Sequence, residues 1–355
     1  GQGPGATRRF PPAPPPDITA RVPVGARRCM CILAESFPSW RRAREPPSAT
    51  AEKGRVTVQK ITPHLWFDTQ AREAAELYVS AFGGDSRVTS TTPIADTPSG
   101  DAELVTFRLL GYDFMAISAG PLFAFNPSIS FMVHFDPSRR DALDGLWARL
   151  AEGGTPLMPL GQYPFSERYG WIADRYGVTW QLILSPATAE RSLTIMPSLM
   201  FTRDACGKAE EAMRLYTSIF PDSGIGTIAR YGPEHAPDEV GTVMFEDFSL
   251  GGQWFAAMDS GRRHDFAFNE AISLVVSCDT QDEIDRYWEK LSAVPQAERC
   301  GWCKDAYGVS WQIVPSAMGR LMGGTADQRA RVTQAFLQMK KFDIAALERA
   351  YAGTT

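Results

Sequence analysis

No run approaches the roughly 20 uncharged apolar residues that a membrane-spanning helix needs, so no membrane contact is expected. Six cysteines in 355 residues are too few for a disulfide framework, which points to a reducing compartment and a cytoplasmic protein. The apolar stretch Cys29-Met-Cys-Ile-Leu-Ala34 is too short for the core of a secretory leader. No G-x-G-x-G follows a strand-like run, which argues against the parallel nucleotide-binding sheet of a doubly wound methyltransferase. No nucleophile elbow or placed base supports Ser-His-Asp or Cys-His catalysis.

What is present is a long chain with 44% apolar residues and net charge −5. That length exceeds one ordinary core and suggests two domains or more. The first residue is Gly1 rather than Met, as in a processed or trimmed start. Residues 1–56 carry ten Lys/Arg against four acidic residues, and ten prolines fall in the first fifty positions. With no apolar period, 1–57 is expected to be a disordered, basic, Pro-rich tail. The rest of the chain is acidic enough to repel a phosphate backbone, so no nucleic-acid partner is expected.

The dominant feature is an internal repeat. Phe123-Ala-Phe-Asn126-Pro-Ser-Ile129-Ser130 returns as Phe266-Ala-Phe-Asn269-Glu-Ala-Ile272-Ser273. Gly170-Trp171 and Asp174-Arg-Tyr176-Gly177-Val178-Thr-Trp180-Gln181 return as Gly301-Trp302 and Asp305-Ala-Tyr307-Gly308-Val309-Ser-Trp311-Gln312. Ile61-Thr-Pro63-His64-Leu65 matches Ile195-Met-Pro197-Ser198-Leu199, and Tyr78 and Phe82 match Tyr216 and Phe220. The order is conserved between the copies, which makes this a duplication.

Within copy one, periodicity predicts a strand over 61–67, an amphipathic helix over 71–83 and strands near 87–92, 102–110 and 112–118. The pattern recurs as a strand over 128–136, a helix over 138–152, a short strand near 155–158 and strands at 170–174 and 178–184. Each copy is thus two βαβββ units. The expected fold class is α+β. The domains are 58–188, 193–318 and a C-terminal helical appendage over 319–355.

These units and motifs resemble the vicinal oxygen chelate superfamily, which includes glyoxalase I, extradiol dioxygenases and fosfomycin and bleomycin resistance proteins. I-x-P-x-L-x-F, F-x-F-N-x-x-I-S and D-x-Y-G-V-x-W-Q are similar to its PhnB-like branch, some of whose members are labelled 3-demethylubiquinone-9 3-methyltransferase. The segment Met339–Tyr351 resembles that branch's C-terminal helix. The resemblance implies mixed sheets forming open cups with flanking helices, and a divalent metal held by residues from the first, fifth and eighth strands of a cup. Those positions fall at His64, Ser128 and Gln181 in copy one and at Ser198, Ala271 and Gln312 in copy two. His64 and Gln181 are the only weak metal candidates, and no metal or other cofactor is expected, because Gln and Ser are poor donors. Ligand contacts are expected from His64, Ser128, Thr179, Gln181, Ser198, Ser310 and Gln312.

Other conspicuous residues have plainer readings. Strand alternation turns Gln181 inward and packs Trp180 beneath a helix as core. Asn126 and Asn269 read as turn residues bonding their own backbone. Cys300-Gly-Trp-Cys303 brackets a strand rather than opening a helix, so it lacks the setting of a redox pair. The expectation is therefore a protein that binds a small, partly aromatic molecule in its cups. The alternative is a glyoxalase-like lyase or isomerase, or the methyltransferase of the family label, acting in copy one. A homodimer is the assembly left open.

Overall fold

The computed structural model describes residues 59–97, 100–185 and 194–354. The expectation of a disordered tail lies outside the described residues. The first unit runs β1 Ile61–Phe67, α1 Ala71–Phe82, β2 Arg87–Thr97, β3 Gly100–Leu109 and β4 Tyr112–Ser118. Ala71, Ala74, Ala75 and Tyr78 form the buried side of α1, at the spacing of one helix face. Gly83 and Gly84 end it in left-handed backbone, which glycine adopts without a Cβ clash. The second unit is β5 Ile129–Phe135, α2 Arg140–Ala151, β6 Thr155–Tyr163, β7 Ser166–Ala173 and β8 Thr179–Leu184.

Copy two repeats this order with one loss. Its first unit is β9 Thr194–Thr202, α3 Ala209–Ile219, β10 Gly224–Arg230, β11 Val243–Leu250 and β12 Gln253–Ser260. Its second is β13 Ile272–Cys278, α4 Gln281–Leu291, β14 Trp302–Lys304 and β15 Ser310–Pro315, with no counterpart of β6. Trp147 and Trp171 lie 24 residues apart, whereas Trp288 and Trp302 lie 14 apart. The segment that builds β6 is therefore ten residues shorter in copy two. The expected short strand near 155–158 reaches Tyr163, and the strand expected over 87–92 reaches Thr97. Helices α5 Met318–Met322, α6 Ala326–Leu337 and α7 Ile344–Ala352 complete the chain. No helix among the described residues is long and apolar enough to cross a membrane.

The sheets join units from different copies. One has the order β14-β15-β13-β1-β4-β3-β2 and the other β10-β11-β12-β9-β5-β8-β7-β6. Strand β1 pairs antiparallel with β13, Ile61 opposite Val276 and Leu65 opposite Ile272. Strand β5 pairs the same way with β9, Ile129 opposite Leu199 and Ser130 opposite Ser198. Each cup is thus walled by the first unit of one copy and the second unit of the other, which corrects the expectation that the first, fifth and eighth strands of one copy line a single cup.

The units of one copy meet on the helix side instead. Asp174 accepts from the Tyr78 hydroxyl at 2.7 Å, the Trp180 indole at 2.9 Å and the amides of Tyr176 and Val178. Asp305 repeats the arrangement with Tyr216, Trp311, Tyr307 and Val309. The D-x-Y-G-V-x-W motif is therefore a buried clamp, because a buried carboxylate needs several donors to offset its lost hydration. Trp180 and Trp311 are fully buried core anchors, as expected.

Both asparagines form the expected turns, with Asn126 Oδ1 accepting from the Ser128 amide and Asn269 Oδ1 from the Ala271 amide. They also tie the copies together reciprocally: Asn126 donates to the Ala267 carbonyl and Asn269 to the Ala124 carbonyl.

Candidate functional site

Alternation along β1 sends Leu65 and Phe67 into the helix-side core and turns His64 and Trp66 to the concave face of the seven-stranded sheet. Along β15, Trp311 and Ile313 are core, and Gln312 and Val314 face the concavity. The result is a cup of about 500 Å³. Its floor carries His64, Met115, Val275, Gln312 and Trp302. Its roof is the C-terminal appendage, through Met318, Met322, Phe336 and Phe342. The roof is fixed beside the edge strand: the amides of Cys300 and Gly301 donate to the carbonyls of Met339 and Lys340, and Gln281 binds the Phe342 carbonyl and the Ile344 amide.

The polar groups of this floor are few. His64 is 4% exposed, and its Nδ1 has no hydrogen-bond partner among the described residues. Burial lowers its pKa to about 4, so the imidazole is neutral at physiological pH. The ring meets Trp302 edge to face at 5.7 Å. Gln312 Nε2 donates to Ser273 Oγ at 2.9 Å, and Ser273 sits opposite His64 in register. Glu270 borders the cup but is held by Lys304 at 2.7 Å. Exposed Arg299 and Leu122 stand at the rim.

The concavity of the eight-stranded sheet has closed to about 30 Å³, room for a water or two. Met132, Tyr169, Met244, Phe245 and Met258 fill it. Gln181 lies there with Ser198. Its Nε2 donates to Ser130 Oγ at 2.7 Å, and its Oε1 accepts from the Tyr169 hydroxyl at 2.7 Å.

The residues singled out in the sequence therefore divide. His64 and Gln312 share the large cup, while Gln181 and Ser198 share the small one. The set His64, Ser128 and Gln181 does not converge, because β1 and β8 belong to different sheets. Ser128 is buried in backbone interactions ahead of β5. Thr179 donates to the Ile129 carbonyl at 3.2 Å, and Ser310 is buried with its hydroxyl unpaired among the described residues. None of these three borders either cavity. Cys303 on β14 faces the core, and Cys300, in the turn ahead of that strand, faces the large cup. Burial pushes the Cys303 thiol up to about 12 and raises Cys300 as well, the reverse of a reactive pair.

Sequence reasoning missed the roof and the inequality of the cups. Two features carried that information: the ten-residue shortening before Trp302, and Cys300 standing where copy one has Tyr169.

A family model described as 3-demethylubiquinone-9 3-methyltransferase matches residues 59–183 and again 193–314. Among solved structures, the chain is similar to the PhnB protein of Bacillus cereus, with 36% identity over 36% of this chain and 100% of that one and a TM-score of 0.32. It is similar to a protein from Pseudomonas aeruginosa at 24% identity, over 35% of this chain and 96% of that one, with a TM-score of 0.29. It is also similar to glyoxalase I from Zea mays at 10% identity, over 71% of this chain and 90% of that one, with a TM-score of 0.44. No curated protein matches.

Proposed function

Because the chain belongs, in both of its copies, to the family described as 3-demethylubiquinone-9 3-methyltransferase, we propose that it is a PhnB-like protein that binds one small, partly aromatic molecule in its large cup without metal chemistry. The observation that carries this reading is the pairing of an open, about 500 Å³ cup with a closed twin of about 30 Å³. Ligand sites are concave and apolar with a few oriented polar groups, and the large cup has this character.

The residues present do not suit the divalent ion of the wider superfamily. The large cup brings together one imidazole and one neutral amide oxygen, and Glu270 is already paired with Lys304. Among the described residues no group of three His, Cys, Asp or Glu side chains is arranged to share an ion. Such a set lacks the anionic charge that holds a catalytic ion against water. Calorimetric titration with Zn²⁺ or Mn²⁺ is expected to show weak binding or none. Gln312→Glu is expected to strengthen binding about tenfold or more, and His64→Ala to abolish the gain; Gln181→Glu, in the other cup, is expected to change nothing. Tight binding by the wild type that survives His64→Ala overturns the non-metal reading.

The unpaired His64 ring in a roomy cup also favours a second reading, a lyase, isomerase or transferase with His64 as the proton-handling group. Native mass spectrometry of the protein from cell extract tests the first reading. A retained organic mass is expected, and it is expected to vanish in Val275→Trp, which fills the floor. A wild type that carries nothing but consumes a candidate substrate favours the enzyme.

A further inference from the structure

Inside the small cup the chain holds a phenol of its own. Tyr169 places its ring among Met132, Phe245 and Met258, and its hydroxyl donates to Gln181 Oε1. The amide is oriented from behind, since one Gln181 Nε2–H goes to Ser130 Oγ, which turns the carbonyl oxygen toward the phenol.

The large cup repeats the receiving half of this arrangement. Gln312 stands in register where Gln181 does, one strand from its serine, and its Nε2 is spent on Ser273 Oγ at 2.9 Å. The phenol is missing. The position matched to Tyr169 is Cys300, whose short side chain borders open volume, and the shortened segment before it removes the counterparts of Tyr163 and Phe165. No hydrogen bond to Gln312 Oε1 is made by the described residues. An oriented acceptor therefore faces an aromatic-walled cavity, and His64, unpaired and neutral, lies across Ser273 from it.

We propose that the large cup takes an aromatic hydroxy compound, its hydroxyl donating to Gln312 Oε1 as Tyr169 does to Gln181. This rests on the reading of the large cup as a binding site and names the class of its ligand. The ring fills the volume that the Tyr169 ring occupies in the twin cup, against Trp302 and beneath the thioethers of Met318 and Met322; methionine sulfur packs well on aromatic rings. An aromatic ether or hydrocarbon of the same shape leaves the acceptor unsatisfied and binds less well.

The test uses the full chain, 2-naphthol and its methyl ether 2-methoxynaphthalene at pH 6, followed by quenching of tryptophan fluorescence, to which Trp66 and Trp302 of the cup contribute. The expected result is that naphthol binds about fivefold more tightly than the ether. Gln312→Leu is expected to remove that preference while keeping ether binding, and Cys300→Tyr to weaken both probes by filling the cup. An independent measurement uses the twin: Tyr169→Ala is expected to lower the thermal midpoint, and p-cresol, not 4-methylanisole, to restore part of it. Equal affinity of the wild type for naphthol and ether overturns the hydroxyl assignment and leaves the cup standing as a binding site. Failure of the wild type to bind either probe, with no p-cresol rescue of Tyr169→Ala, overturns the assignment and removes this support for the cup itself.

Discussion

Replacing Glu246 by Val is expected to raise the thermal midpoint by on the order of 10 °C at pH 8.5 and by much less at pH 5. Register explains the site. Val105 lies beside Ala116 and Leu65 in the helix-side core of the first unit. Glu246 lies beside Ala257 and Leu199 at the same place in the third. A carboxyl thus occupies a core position, fully buried, with neither oxygen bonded by the described residues. Burial first, and then the nearby Asp259 and Glu210 charges, push its pKa up to about 8. The folded chain therefore keeps a proton that the unfolded chain releases near 4.5. Stability is lost as pH rises from about 4.5 through about 8, reaching roughly 3–5 kcal/mol above that range. Thermal melts of the wild type and Glu246→Val across this window check it. A midpoint difference that does not change with pH means the carboxyl is not protonated in the fold.

Copy one produced alone, as residues 59–190, is expected to run at twice its own mass in light scattering. Separation strips β1 of β13 and β5 of β9, exposing two central strands as edges lined with unpaired N–H and C=O groups. Strands β5 and β13 are equivalent, so two copies of the fragment can restore both sheets by pairing β1 of one with β5 of the other. The same fragment mixed with copy two is expected to give a heterodimer. A stable monomer with a cooperative melt shows instead that a copy closes on itself.

Local structure was legible because it is written in short periods. The alternation at Trp180-Gln181 separated core from cup, and Gly83-Gly84 ended α1 where the apolar face stopped. The pairing of units was not legible for a physical reason. Strands β5 and β13 both read Ile-Ser-x-x-Val, so each offers β1 the same register and the same buried face. Periodicity specifies what a strand needs from a partner without saying which of two equivalent partners supplies it. The donor set assigned by resemblance to a single copy failed on that ambiguity. His64, Gln181 and Gln312 lie on strands and Ser128 just ahead of β5, and His64 shares its cup with Gln312 rather than Gln181. Glu246 drew no attention because one carboxylate in a strand-like run reads as a solvent-facing residue until its register with Val105 is known.

The pairing of β1 with β13 has a kinetic side. Ile61 meets Val276, and the floor of the cup joins His64 to Gln312, so the cup is assembled from contacts of very high sequence separation. Closing such long loops precedes any stabilisation from the contacts made, which slows folding. Chains are made from the N-terminus. His64 therefore emerges well before the strand and the helices that complete its surroundings, and β1 must wait beside the look-alike β5 for its proper neighbour. Completion of the cup becomes a late event in the life of a nascent chain. A refolding time course is expected to show helical signal first, with recovery of the cup trailing it.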